Sequence, residues 1–257
     1  MDPFIFRLQE LSRPRHADPL RLTRYGHKVF SQNDEDGIIA EIFNRIGIHR
    51  RLFVEFGVES GIECNSLWLL MQGWSGLWIE GNNKCYNNIL STHSHWIKSG
   101  NLLVENQFIT AENINEIISS AYKECEIDLL SIDVDYNDYW IWSAIDIVSP
   151  RIVVIEYNAT WAPPVSITVP YSPSSIWDGT NYFGASISAL TKLGKCKGYE
   201  LVGCCLAGVN AFFVRNDLIG SKFLNPGSAE EHYEPARYFL ASLPSGHPPA
   251  VGPVVVV

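Results

Sequence analysis

The chain carries six cysteines, Cys64, Cys85, Cys125, Cys196, Cys204 and Cys205, but no CxxC pair. A zinc ribbon or a redox dithiol therefore has no support. No apolar run approaches the roughly 18 to 20 residues that span a bilayer. The start, Met1-Asp-Pro-Phe-Ile-Phe-Arg, lacks the apolar stretch of a secretion signal. The expected compartment is the cytoplasm, with reduced thiols and no membrane partner. Basic residues form no long run and the net charge is −9, which argues against sequence-independent nucleic-acid binding. Neither GxSxG nor a P-loop GxxxxGKS/T occurs. A serine nucleophile on such an elbow, and phosphoryl transfer through a P-loop, are disfavoured.

What is present is a globular composition, with 46% hydrophobic and 18% charged residues in 257, enough for one α/β domain with decorations. Short apolar runs at 52–56, 76–80, 101–104, 128–133, 151–156, 199–205 and 209–215 read as strands. Helical spacing is expected at 3–12, 34–46, 64–72, 83–92, 111–124, 138–147 and 184–196. Strands that alternate with helices predict a parallel sheet covered on both faces. The last two strands are joined only by Leu206-Ala-Gly-Val, too short for a crossover, so they form an antiparallel hairpin. Residues 1–28 read as an N-terminal extension and 29–217 as the main domain. A Pro- and aromatic-rich loop at 159–183 reads as a lid. Residues 218–257 read as a C-terminal extension. Its apolar end is expected to be flexible or packed on a partner, which leaves a homo-oligomer open.

The stretch Leu52-Phe-Val-Glu-Phe-Gly-Val-Glu-Ser-Gly61 is the most informative. A strand ends in Glu55 and turns at Gly57, where a missing side chain lets a ligand approach the backbone. The next strand ends in Glu80, spaced to accept hydrogen bonds from ribose hydroxyls. Further acids and amides follow the later strands: Glu105-Asn106-Gln107, Asp133-Val-Asp135-Tyr-Asn137-Asp138 and Glu156-Tyr-Asn158. Ligands of open α/β sheets bind at that edge. Asp133, Asp135 and Asp138, with Glu156 or Asn158, have the oxygen-only chemistry that suits Mg²⁺. Equally, Asp133 could bond turn amides while Asp138 caps the next helix. His93-Ser-His95 reads as a surface loop rather than a metal site. Trp140 and Trp142, two apart on one helix, cannot both face the core, which leaves one for the crevice.

These segments resemble class I S-adenosylmethionine-dependent methyltransferases, and more narrowly the FkbM-like family. The residues that carry the resemblance are Phe30-Ser-Gln-Asn-Asp-Glu-Asp-Gly-Ile-Ile39, Phe53-Val-Glu-Phe-Gly57, Trp74-Ser-Gly-Leu-Trp-Ile-Glu-Gly81, Leu130-Ser-Ile-Asp-Val-Asp135, Asn137-Asp-Tyr-Trp140 and Val154-Ile-Glu-Tyr-Asn158. The resemblance spans about residues 28–216. It implies a Rossmann-like, doubly wound seven-stranded sheet, mostly parallel, of order 3-2-1-4-5-7-6. It implies S-adenosylmethionine held by Gln32, Asp36, Glu55, Gly57, Gly61, Glu80, Asn106 and Asp133. The methionine part would lie along Glu55 to Gly61, the ribose on Glu80, and adenine near Glu105 to Gln107. Asp133 or Asp135 would act as base. The metal set would be Asp135, Asp138, Glu156 and Asn158. The acceptor, a small polar molecule with a hydroxyl, would meet Asn158, Trp177, Asp178, Asn181 and Tyr182. The turn departs from the family in having only Gly57 and Gly61, and in placing Glu59 near a sulfonium. Two other functions compete: a nicotinamide-dependent oxidoreductase, whose GxGxxG turn is missing here, and a non-catalytic binding or assembly protein of this fold.

Overall fold

Successive residues of a strand point to opposite faces, and in the central strands both sets are apolar. In β1 (Leu52–Phe56), Val54 and Phe56 enter one buried cluster and Phe53 enters another. Such strands need cover on both sides. The structure is a computed structural model that describes residues 2–122, 125–240 and 246–257. The remaining strands of the sheet are β2 (Ser75–Ile79), β3 (Leu102–Glu105), β4 (Cys125–Ile132), β5 (Val148–Glu156), β7 (Tyr199–Cys204) and β8 (Asn210–Arg215). They form one seven-stranded sheet of order β3-β2-β1-β4-β5-β8-β7. All pairs are parallel except β5 with β8 and β8 with β7. This is the expected order, once the short β6 (Ile167–Thr168) is counted outside the sheet.

Each face has its own helices. Face one is covered by α6 (Ile114–Ala121), α7 (Asp138–Ala144) and α8 (Ile187–Cys196), through Ile117, Ile118, Ile141, Trp142, Leu190 and Leu193. Face two is covered by α2 (Glu35–Ile46), α3 (Leu67–Met71) and α4 (Asn83–Thr92), through Ile38, Ile42, Leu70 and Ile89. Short helices α1 (Pro3–Leu11), α5 (Ser94–Ser99), α9 (Asn216–Ile219) and α10 (Ala229–His232) complete the set. Of the expected elements, the end of the helix at 111–124 (Lys123 and Glu124), Met1, and residues 241–245 of the C-terminal segment lie outside the described residues.

The terminal segments pack on each other. Arg15 meets Glu234 at 2.9 Å, Arg237 meets Glu234 at 2.8 Å and Glu10 at 3.6 Å, and Arg21 pairs with Glu231. The early basic residues therefore find their counter-ions in residues distant in sequence. Leu22 is fully buried against the β7–β8 edge, where Gly203 leaves room for its side chain. The apolar tail is not free. Its strand β9 (Val255–Val256) pairs antiparallel with β6.

One buried acid fixes how β1 begins. The carboxylate of Asp128 on β4 is fully buried and accepts from the amides of His49, Arg50 and Arg51 at 2.6 to 2.8 Å. That fan of donors holds Arg51 at φ 59, a left-handed conformation that a non-glycine residue rarely adopts. Arg151 adds a charge partner at 3.4 Å. Asp128→Ala strands those amides and an arginine, and should lower unfolding free energy by about 3 kcal/mol. Urea denaturation measures this; a loss under about 1 kcal/mol would mean that other contacts hold the turn.

Candidate active site

The chain reverses its direction of strand addition between β1 and β4, and open α/β sheets place their ligand crevice at that point. A cleft of about 580 Å³ opens there, within the usual range for small-molecule sites. Its walls come from the ends of five strands. β1 supplies Glu55 and Gly57, β2 Glu80, the segment after β3 Gln107 and Phe108, β4 Asp133 and Asp135, and β5 Glu156. Parallel register carries these ends to one edge, since Phe56 aligns with Ile79 and Ile79 with Glu105.

Gly57 has φ 67, and a Cβ there would lie 1.8 Å from the carbonyl oxygen of Asp133. The glycine is required by the neighbouring strand, before any ligand is considered. Glu55 is buried and accepts from the amides of Asn65 and Ser66 at 2.8 and 2.9 Å, and from the Ser66 hydroxyl. Burial raises its pKa against the lowering effect of those donors. Glu55 therefore shapes the loop between Gly57 and α3 as well as lining the cleft. Glu80 accepts one amide on each oxygen, Glu59 at 2.8 Å and Asn82 at 2.7 Å. A carboxylate has about four lone-pair sites, so two remain for a ligand's hydroxyls.

Several expected cofactor residues have other work. Asp36 spends its Oδ2 on the amides of Val29, Phe30 and Ser31 at 2.7 to 2.8 Å and does not border the cleft. Gly61 is small because Trp78 and His93 press on it, 2.6 and 2.9 Å from a built Cβ, and it too lies off the cleft. His93 is thus buried among aromatic rings, contrary to the surface loop expected. Asn106 donates to the Glu80 carbonyl at 2.9 Å, and the wall is made by the next residues, Gln107 to Ile109. Gln32 does border the cleft.

The acid group also differs from the expected set. Asp133, Asp138 and Glu156 bring carboxylate oxygens within 4.8 Å of one another. Asp135, at φ 62, turns out of this group. Asn158 is engaged locally: its amide donates to the carbonyls of Asn181 and Phe183 and its oxygen accepts from the Thr160 amide. Asp138 does not cap α7; its Oδ1 accepts from the Val134 amide at 2.9 Å and closes the turn. Its Oδ2 and Glu156 Oε2 are buried without a partner. Burial, then the neighbouring acids, pushes Asp133 and Glu156 well above the usual carboxylate range. Burial does the same to Asp138, to about 7.

The loop at 159–183 is held at three points. Asn137 donates to the Ser172 carbonyl at 2.8 Å, the Trp140 indole to Val169 at 2.9 Å, and Tyr171 reaches the Ala111 amide. Trp142 is core and Trp140 clamps the loop, so neither borders the cleft. Of the expected acceptor residues only Trp177 does. Asp178 closes a local turn onto Thr180, Asn181 accepts from the Ala250 amide, and Tyr182 bonds the Pro253 carbonyl. Asn181 and Tyr182 thus clasp the C-terminal segment. In their place Ser175, Ile176, Tyr238 and His247 enter the wall. Tyr238 and His247 come from beyond residue 217, where neither periodicity nor a motif marks them.

No family model matches the chain, and no curated protein matches it. Similar solved structures include magnesium protoporphyrin IX methyltransferase from Synechocystis PCC 6803. With bound SAH it is 12% identical, with TM-score 0.48 over 83% of this chain and 95% of that one. With bound SAM it is 13% identical, with TM-score 0.48 over 84% and 97%. The N-terminal domain of EvdMO1 with SAH bound is 13% identical, with TM-score 0.44 over 83% and 95%. At these scores the likeness adds nothing to what the strand order already establishes.

The raised pKa of Asp138 has a measurable consequence. The folded protein keeps a proton on it that the unfolded chain releases near its ordinary value of 3.8. That stabilising contribution is complete below about pH 4 and is lost as pH rises through about 7. Asp138→Asn cannot ionise and retains an oxygen for the Val134 amide. Its stability relative to the parent should rise with pH, by up to about 1.4 kcal/mol per unit between roughly pH 5 and 7. Denaturant curves at both ends of that window test it, and a constant difference would show that Asp138 is already ionised at the acid end.

Proposed function

We propose that the chain is an S-adenosylmethionine-dependent methyltransferase acting on a hydroxyl of a small polar metabolite, a sugar or natural product, in the cytoplasm. Within that class the FkbM-like family is the one its motifs resemble. The observation that supports this most is the convergence of the Gly57 turn and a half-satisfied Glu80 on one cleft at the switch point. The same cleft has no Lys or Arg among the described residues. A dinucleotide's pyrophosphate would find no cation there, which weighs against a nicotinamide-dependent oxidoreductase.

S-adenosylmethionine supplies an electrophilic methyl on a sulfonium. Gly57 and its flanking backbone would orient the methionine part, and Glu80 would accept from the ribose hydroxyls. Gln107 and Phe108 would meet the adenine. The acceptor oxygen would form its bond to the methyl as the sulfur–methyl bond breaks, with that electron pair staying on sulfur. The hydroxyl proton would pass to Asp133 or Asp135, both at the cleft and neither donated to by another described side chain. Their raised pKa values bring proton acceptance closer to neutral pH. Mg²⁺ is the alternative way to acidify the hydroxyl. Its oxygen donors here would be Asp133, Asp138 and Glu156.

Glu80→Ala should weaken S-adenosylmethionine by about 1.5 to 3 kcal/mol in calorimetry, the range for hydrogen bonds to a charged group. Unchanged affinity would place the ribose elsewhere. Gly57→Val is a fold test rather than a ligand test, because its side chain collides with β4. Turnover that survives EDTA but falls in Asp133→Asn would assign the proton step to the carboxylate alone. Loss with EDTA and recovery with Mg²⁺ would assign it to the metal.

A further inference from the structure

The cleft is polarised in charge. Seven of its bordering residues are carboxylates, and among the described residues none is Lys or Arg. Three of the seven are accounted for. Glu63 pairs with Lys28 at 2.7 Å, and Glu55 and Glu80 hold backbone amides. Glu59, Asp133, Asp135 and Glu156 have no ion-pair partner among the described residues. Glu156 has one oxygen buried without any hydrogen-bond donor. Among the described residues the only basic side chain in the wall is His247, whose pKa burial lowers, so it brings no positive charge at neutral pH.

The second feature is aromatic. His247 sits with its ring centroid 4.8 Å from Trp177 and 4.6 Å from Tyr238. Tyr238 and Glu156 border the same cleft, so the aromatic wall and the unpartnered acid face one ligand space. Carboxylates next to aromatic faces suit a cation that also has an apolar or ring surface. An anionic ligand would bring like charge against unpaired acids, and nothing in the wall would offset it.

We infer that the acceptor carries a protonated amine near its reacting hydroxyl, as an aminosugar or amino alcohol does, and is not phosphorylated or carboxylated. The ammonium donates to Glu156 and packs against the Trp177–Tyr238–His247 wall. This rests on the methyl-transfer reading only for the hydroxyl; the preference for positive charge belongs to the cleft itself.

The test is binding of glucosamine, galactosamine and kanamycin, each against its N-acetylated form, with glucose 6-phosphate as the anion. Ligand-observed NMR and calorimetry read affinity, with and without SAH. At least one amine should bind tenfold or more tightly than its acetylated form, and glucose 6-phosphate should not bind. Glu156→Gln and Glu59→Gln should each reduce amine affinity several-fold and leave the acetylated form unchanged. Glu116→Gln, at an exposed acid on α6 that does not border the cleft, removes the same charge and should change nothing. Three results overturn the inference: no amine preferred over its acetylated form, glucose 6-phosphate binding as well as the amines, or Glu116→Gln costing as much as Glu156→Gln. If the amines are preferred but neither SAM nor SAH binds, the charge preference stands and methyl transfer falls. If SAM binds and the amines are not preferred, methyl transfer stands and this inference falls.

Discussion

The approach of Gly57 to the carbonyl of Asp133 is the contact on which the rest of the site depends. It lies between β1 and β4, where the sheet changes direction, and no side chain fits there. With a glycine in the left-handed region, β1 turns away from the sheet directly after Phe56. The chain then doubles back under Glu55, which holds Asn65 and Ser66 and so starts α3. The Ser66 hydroxyl in turn accepts from the indole of buried Trp78 on β2 at 2.8 Å. One small residue thus sets the floor of the cleft and couples three strands around it.

The acids at this edge are held at a cost. Three carboxylates within 4.8 Å of one another, two with orphaned oxygens, are unfavourable without protons or a cation. Two buried acids elsewhere are well paired. Asp128 has three strong amide donors and an arginine, and Glu234 has two arginines. A single unpaired carboxylate oxygen also occurs at Asp36, but among the described residues the clustering of three acids is confined to the cleft edge, where a proton or a cationic ligand would relieve it.

The helix start at residues 34–36 shows how much of a motif's work is invisible in the sequence. Its acids were legible as a first-turn feature favoured by the helix dipole. In the structure each has a separate anchor. Asp34 accepts from the Leu206 amide and pairs with Arg7, Glu35 accepts from Asn210, and Asp36 closes the turn at 29–31. Asp34 and Glu35 tie α2 to the β7–β8 region, and Asp36 ties it to the segment before it. A sequence shows that three adjacent acids exist; whether each faces a ligand or a distant amide depends on what the sheet brings beside it.

Apolar runs, helical spacing and the short Leu206–Val209 link determined the elements and the antiparallel hairpin, because these are local properties of period and reach. The strand-end positions of Glu55, Glu80, Asp133 and Glu156 were equally local, since each follows an apolar run directly. Tertiary structure alone decided which of the acids meet. Asp135 left the group because its own backbone turns, and two loop carbonyls engage the Asn158 amide. It also decided the outer wall. Tyr238 and His247 border the cleft, in segments tied down by the Glu234 ion pairs on one side and by the β6–β9 pairing on the other. Those contacts join residues far apart in the chain, and no pattern within either segment records its partner.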